Sequence, residues 1–370
     1  VQPAPEISAP GAVLMEPSTG TVLYEKNGEE QRSPASITKI MTLLLIFEAL
    51  EDGQITLEEE AVTSAYAKSM GGSQVFLEEG EKQTVETLIK CIVVASGNDA
   101  SVVMAEHLAG SEEEFVKRMN EKAGELGMLH TQFEDCCGLT DSEEHYTTAS
   151  DVAIVSRELI TRFPRILEYS SIWMENIIHR TAQGEKEFCL TNTNKLIRSY
   201  EGCVGLKTGS TSVAKYCVSA VAQRGEMTLL AVVMGAPDAK VRFKDAAALL
   251  DYGFGKCNLY LDENRKNPDP VPIKGGVKAE VSCRYTGEFR YLDTEGKNLS
   301  QIEKKIVYMK NLQAPVKKGE KAGTVSYYLA DEKIAENVVV TEHAVEKRTW
   351  EKCMKIVTAK FLTLESLVWY

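Results

Sequence analysis

The chain has 370 residues, 44% hydrophobic and 26% charged; this globular composition excludes a disordered chain and is long enough for two or three domains. Its 54 acidic and 42 basic residues leave a net charge of −12, which gives no general support to nucleic-acid binding through counterion release. No apolar run reaches the roughly 18 residues that a membrane-spanning helix needs.

The N-terminal stretch, residues 1–11, carries Pro3, Pro5 and Pro10 and begins at Val1 without a methionine, so it reads as a trimmed N-terminus. Residues 12–31 alternate as a hairpin turning at Pro17–Gly20. Ser33 as N-cap and Pro34 at the first helical position predict a helix carrying Ile37, Ile40, Met41, Leu44 and Phe47 to about Gly53. Residues 84–95 read as a second buried helix broken at Ser96-Gly97-Asn98, after which helical periodicity resumes to Gly110. Ser111 with Glu114 forms a capping box for a helix closed by Gly127, and residues 147–162 form a further one.

Beyond residue 203 the pattern becomes β-rich. Tyr216–Gln223 and Met227–Met234 predict a hairpin, with Lys207-Thr208-Gly209 at the start of its first strand and a helix from about Val241 to Leu250 following. Strands from both ends of the sequence thus enclose a helical middle, predicting an α+β domain over 12–258 with one sheet assembled from both ends. Residues 259–344, with β-like runs at 277–284, 305–309, 323–329 and 337–340, read as a small separate β domain. The tail, 345–370, places Trp350, Met354, Val357, Phe361, Leu364 and Val368 on one stripe, with Lys347, Lys352, Lys355 and Lys360 on other faces. It predicts an amphipathic helix that either lies on a membrane surface or docks on its own domain.

Nine cysteines, an odd count without a CxxC pair, and five histidines without an HExxH predict neither a zinc site nor a metal cofactor. The cysteines read as small buried hydrophobes, and so many in an exported protein would suit a reducing or anaerobic niche.

The chemistry concentrates in three short motifs. Ser36 and Lys39 are spaced i, i+3 at a helix start, where side chains share a face and free backbone N–H groups favour developing negative charge. Ser212–Lys215 repeats the spacing, but in a predicted strand, where i and i+3 point to opposite faces. SxxK at 36–39, SGN at 96–98 and KTG at 207–209 occur in the order associated with penicillin-recognising serine enzymes.

Wider segments, "TGTVLYEKN", "ASITKIMT", "GGSQVFLEEGE", "ASGNDASVVMAEHLAGSEEEFVKRMNEKAGELGM", "HYTTASDVAIVSREL", "GLKTGST" and "LLDYGF", resemble the D-alanyl-D-alanine carboxypeptidases, the low-molecular-mass penicillin-binding proteins. "VPIKGG" and "APVKKGEKAGTV" resemble the small C-terminal domain of that family, and the tail resembles its membrane-anchoring helix. The resemblance implies a transpeptidase-like fold and an acyl-enzyme on Ser36, with neutral Lys39 as its base. Burial and the nearby Lys207 charge would both disfavour the protonated form of that base. It further implies proton relay by Ser96 and hydrogen bonding by Asn98, a residue whose other reading is a plain helix cap. Lys207 and Thr208 would clamp a terminal carboxylate and Gly209 would allow close backbone approach, while the backbone N–H groups of Ser36 and Ser210 would form an oxyanion hole.

Arg242 falls where the family often has a carboxylate-binding arginine, the alternative being a surface arginine. The implied substrate is a peptidoglycan stem peptide ending in D-Ala-D-Ala, met outside the cytoplasmic membrane without metal or cofactor, with β-lactams as covalent inhibitors. Where family members commonly carry Asn-Pro-His-Gly-Leu, this chain reads Glu134-Asp135-Cys136-Cys137-Gly138-Leu139. A serine β-lactamase is the nearest rival, but no Glu-x-x-x-Asn stands between SGN and KTG. A silent scaffold is the other, and it would show no covalent labelling by penicillin.

Overall fold

The computed structural model describes residues 3–365 and divides into two compact units, Val1–Cys257 and Asn258–Tyr370. The first unit opens with β1 (Gly11–Glu16) and β2 (Thr21–Lys26). Helix α1 (Lys39–Glu51) follows, then β3 (Glu60–Val62), α2 (Ala65–Lys68) and β4 (Lys82–Thr84). The helical middle comprises α3 (Val85–Val93), α4 (Asn98–Ala109), α5 (Glu112–Glu125), α6 (Ala149–Arg162) and α7 (Ile166–Ser170). A hairpin of β5 (Met174–Thr181) and β6 (Gly184–Thr191) precedes the short α8 (Leu196–Ser199). The unit closes with β7 (Cys203–Thr211), β8 (Lys215–Arg224), β9 (Met227–Ala236) and α9 (Ala239–Lys256).

One five-stranded sheet in the order β2-β1-β9-β8-β7 is assembled from both ends of this unit, as the α+β expectation required. Strand β1 is buried along its whole length and pairs antiparallel with β9, Ala12 opposite Val233 and Leu14 opposite Ala231. Because strand side chains alternate faces, Val13 and Met15 join the helical core with Ile40, Leu44 and Val152, while Leu14 turns to the opposite layer. There α9 lies so close that a β-carbon on Gly253 would fall 2.6 Å from Leu229 Cδ1 and 3.1 Å from Leu14 Cδ2.

Helix α1 runs through the middle of the helical layer. Ile40, Met41, Leu43, Leu44, Ile46 and Phe47 are all buried, each contributing about 1.5–3 kcal/mol of transfer free energy. A helix apolar on nearly every side has no solvent face to lose, which is why its single lysine, Lys39, is buried too.

The structure revises four local expectations. Ser33 and Pro34 do not open an α-helix: Ala35–Thr38 forms a 3-10 turn with Pro34 in the capping position and no side-chain cap, and the α-helix begins at Lys39. The KTG residues belong to their own edge strand, β7, not to the start of the Tyr216 strand, since Gly205 and Gly209 blur the alternation that would have marked it. Ser212–Ala214 is the turn between β7 and β8, not strand. The β5/β6 hairpin was not anticipated, because its residues are largely exposed and polar and carry little apolar alternation.

The second unit is β-rich. Lys321–Leu329 and Glu332–Thr341 form its longest hairpin, central in a four-stranded sheet flanked by Glu303–Tyr308 and Cys283–Tyr285. Its core gathers Val271, Val325 and Val339 around the stacked rings of Phe289 and Tyr327, 3.8 Å apart. Residues 277–279, expected in a strand, precede the short strand Glu280–Val281 instead. Helix α10 (Trp350–Glu365) carries the tail; Val368 of the expected stripe lies outside the described residues, as do the side chains of Phe361, Leu364 and Lys360.

Candidate active site

The 3-10 turn sets the first distance. Its three-residue period eclipses i and i+3, and Lys39 Nζ lies 3.0 Å from Ser36 Oγ. Ser36 is half-buried and Lys39 fully buried. Lys39 also donates to Asn98 Oδ1 at 2.6 Å and to the Cys137 carbonyl at 2.8 Å. A neutral amine has two N–H groups and one lone pair. With Asn98 and Cys137 offering only acceptor oxygens, the lone pair of a neutral Lys39 is left for the Ser36 hydroxyl.

Burial lowers the proton affinity of Lys39 from its ordinary value, opposed by the thiols of Cys137 and Cys136 and by the charges of Asp135 and Asp99. Lys207 is likewise held well below its ordinary value, by burial first and then by Lys39 and Arg242. Of the two expected sources, burial is the leading one for Lys39, and Lys207 is not among the charges that act on it most strongly.

Asn98 is not a helix cap. Gly97 holds the capping position of α4 and Asn98 is its first helical residue. Its side chain instead bridges, accepting from Lys39 and donating through Nδ2 to the Gly71 carbonyl at 2.8 Å. Ser96, buried and held at φ +61, has a hydroxyl with no hydrogen-bond partner among the described residues. A non-glycine residue in that backbone region is uncommon, and an unmatched buried hydroxyl costs about 1–3 kcal/mol.

Strand β7 supplies the facing wall. Gly209 approaches the serine turn so closely that a β-carbon would lie 2.7 Å from the Ser36 backbone nitrogen and 2.9 Å from that of Ile37. The Ser210 side chain is exposed. Thr208 donates to Thr193 Oγ1 at 2.6 Å, and buried Lys207 donates to the Thr208 carbonyl at 2.9 Å.

Arg242 is not a surface residue. It is 8% exposed, donates to the Gly209 and Cys217 carbonyls at 3.1 and 3.2 Å, and stacks over Tyr216 and Phe243. Ser36, Lys39, Asn98 and Gly209 thus meet directly, and Arg242 reaches them through the Gly209 carbonyl. Ser96 makes no hydrogen bond to the others.

The segment that departs from the family pattern forms part of the site through its backbone. Cys137 offers its carbonyl to Lys39, and Cys136 offers its own to Thr42 Oγ1 at 2.6 Å. Asp135 gathers the N–H groups of Cys137, Gly138 and Thr140. Burial alone would raise this carboxyl, but His145 and those backbone donors hold it below its usual range.

Gly138, at φ +76, packs where a β-carbon would meet the Ala35 carbonyl oxygen at 1.7 Å. His145 Nδ1 accepts from the Glu134 N–H at 2.9 Å, so Nε2 carries the proton and donates to Thr38 Oγ1 at 2.9 Å. Sequence reasoning gave no role to Asp135, His145 or Thr193. An Asp three residues before a glycine was a readable turn signal; Thr193 and His145 offered none.

Residues 1–238 match the Peptidase S11 family model, described as D-alanyl-D-alanine carboxypeptidase, and residues 266–347 match the penicillin-binding protein 5 C-terminal domain. The D-alanyl-D-alanine carboxypeptidase DacF of Bacillus subtilis is 42% identical over 340 residues, covering 92% of this chain and 86% of its own. DacC of Escherichia coli is 32% identical, covering 95% and 89%. Among solved structures, penicillin binding protein 5 from Haemophilus influenzae superposes with a TM-score of 0.75 at 30% identity, covering 94% of this chain and 100% of that one. With that fold, those relatives and a matched family model over most of its length, the chain belongs to the D-alanyl-D-alanine carboxypeptidases of serine peptidase family S11.

Proposed function

We propose that this enzyme removes the terminal D-alanine from peptidoglycan stem peptides ending in D-Ala-D-Ala, outside the cytoplasmic membrane, through an acyl-enzyme on Ser36. The observation that carries the reading is the buried Lys39 amine, whose donors are taken by Asn98 and Cys137 and whose remaining position faces Ser36 Oγ. Lys39 takes the hydroxyl proton as Ser36 attacks the carbonyl between the two D-alanines. The backbone N–H groups of Ser36 and Ser210 hold the oxyanion, and Ser96 passes a proton to the departing amine. Water then releases the shortened peptide. β-Lactams enter the same acylation step and stay on Ser36.

Lys207, Thr208 and Arg242 form the carboxylate clamp. A carboxylate arriving in this buried basic corner restores the charge that burial denies Lys207. The clamp restricts the enzyme to chain ends. The test compares D-alanine release from an acyl-D-Ala-D-Ala peptide with release of the amidated residue from its C-terminally amidated counterpart. The free acid is hydrolysed and the amide loses about 10- to 100-fold in kcat/KM, the worth of a charged hydrogen-bond pair. Equal rates on both would contradict the clamp.

In the same reading, residues 1–11 are a Pro-rich N-terminal segment, 12–258 the catalytic domain, 259–344 a small β-rich domain and 345–370, whose helix begins at Trp350, a membrane-surface segment. Supporting the last, Trp350, Met354 and Val357 are 81%, 46% and 53% exposed on α10, where a helix docked on its own domain would cover them. Flotation of the full chain with vesicles containing anionic lipid, lost when residues 345–370 are removed, checks this. Undiminished flotation of the shortened chain would contradict it.

A further inference from the structure

Beside the catalytic turn, but used by it only through backbone carbonyls, stand two adjacent thiols with no assigned task. Cys136 and Cys137 are buried, and the carboxylate of Glu112, the first residue of α5, reaches them from a separate element. One ligand atom from each of the three lies within 4.8 Å of the others. Glu112 is held in place from both sides, accepting from the Cys136 N–H at 3.0 Å and from the Tyr66 hydroxyl at 2.6 Å. It also lines a cavity of 590 Å³ with Glu106, Glu113 and Glu134, whose lysine, Lys117, is already paired with Glu113 and Glu114. An acidic mouth of this kind raises the local concentration of cations.

We propose that Glu112, Cys136 and Cys137 bind one zinc ion, with the fourth position open toward the acidic cavity. Two sulfurs and one carboxylate oxygen suit a thiophilic d10 cation rather than magnesium or calcium. Bond lengths of about 2.3 Å to sulfur and about 2.0 Å to oxygen place tetrahedral ligand atoms roughly 3.5–3.8 Å apart, so from separations within 4.8 Å each pair closes by about 1.3 Å at most. Binding releases two thiol protons to solvent. Two thiolates and a divalent cation then replace two neutral thiols, so the net charge near Lys39 is unchanged. The ion acts on the site by holding the 136–137 backbone whose carbonyls accept from Thr42 and Lys39. It takes no part in acyl transfer, and the assignment stands apart from the peptide specificity proposed above.

The sequence showed the adjacent cysteines but not their partner, which lies 24 residues earlier in the chain. The test uses the full chain, reduced and stripped with a chelator, then dialysed against zinc and separately titrated with cadmium as an optical probe. One zinc per chain by elemental analysis is expected, along with a cadmium–thiolate charge-transfer band saturating at one equivalent. Cys136→Ser and Cys137→Ser weaken binding by at least about 100-fold, beyond the 10- to 100-fold typical of outer-shell changes. Glu112→Gln, which keeps an acceptor for the Cys136 N–H and leaves penicillin labelling unchanged, weakens it by about 10-fold. Cys189→Ser, at an exposed cysteine, binds as the parent does. Substoichiometric zinc, absence of the thiolate band, or parental affinity in the Glu112→Gln and cysteine variants would each overturn the site; if the cysteine variants fail to fold, Glu112→Gln decides.

Discussion

The chain contains the same four-residue pattern twice, and the two copies have opposite fates. At Ser36–Lys39 the backbone winds into a 3-10 turn, the lysine is buried, and its amine is shared with Ser36, Asn98 and Cys137. At Ser212–Lys215 the serine is exposed on the turn between β7 and β8 and the lysine is exposed at the first position of β8, at φ +57. The first lysine has lost its solvent and therefore part of its proton affinity. The second keeps its water. Spacing alone gives neither chemistry; what separates the copies is the apolar helix that starts at Lys39 and the glycine turn at Gly138 that closes over it.

Several substitutions would break or sharpen that contrast. Ser36→Ala should abolish the covalent penicillin adduct and lower D-alanine release by about 10⁴-fold or more, as loss of a serine nucleophile does elsewhere; a stopped assay of D-alanine measures it. Lys39→Ala should cost about 10²- to 10⁴-fold in acylation, the usual worth of a general base, and should erase the pH dependence described next.

In the proposed mechanism acylation requires neutral Lys39. Because burial holds its pKa below 10.5, the acylation rate should rise with pH along a limb centred below that value and then level. The same shift affects stability with a definite sign: between the folded pKa and 10.5 the unfolded chain binds the extra proton, so the Lys39 contribution to stability rises with pH in that window. Stopped-flow acylation across pH, with Lys39→Ala as control, tests the kinetic half.

Gly138→Ala forces a β-carbon into the Ala35 carbonyl at a positive φ and should destabilise the protein by about 2–4 kcal/mol, read from denaturant unfolding of the catalytic unit. Smallest of all, Ser212→Ala and Lys215→Ala should stay within about 0.5 kcal/mol in stability and leave acylation at the parental rate.

Much of the site was legible because its residues sit where local rules are strong. The serine motif precedes a long apolar run, SGN interrupts two periodic helices, and β8 and β9 stand out as near-continuous apolar runs split by a turn. What escaped notice depends on contacts distant in sequence. Ser33 and Pro34 carry a helix-start signal, yet the turn that forms is 3-10, with Gly138 packed against its Ala35 carbonyl from a hundred residues away. Gly205 and Gly209 hide β7 as a strand because glycine weakens the pattern at the very positions where the backbone must approach the serine. The burial of Arg242 follows from its packing over Tyr216 and Phe243 and its bonds to carbonyls of β7 and β8, none of which a helical stripe reveals. Asp135 and His145 act through backbone N–H groups and Thr38, so their roles have no motif to carry them.

The most direct test of the central claim is intact-mass analysis after reaction with benzylpenicillin, followed by peptide mapping of the adduct. A single adduct of one drug mass, located on Ser36 and absent in Ser36→Ala, is the expected result. An adduct that persists in Ser36→Ala, or that maps to Ser212 or to any other residue, would contradict the account.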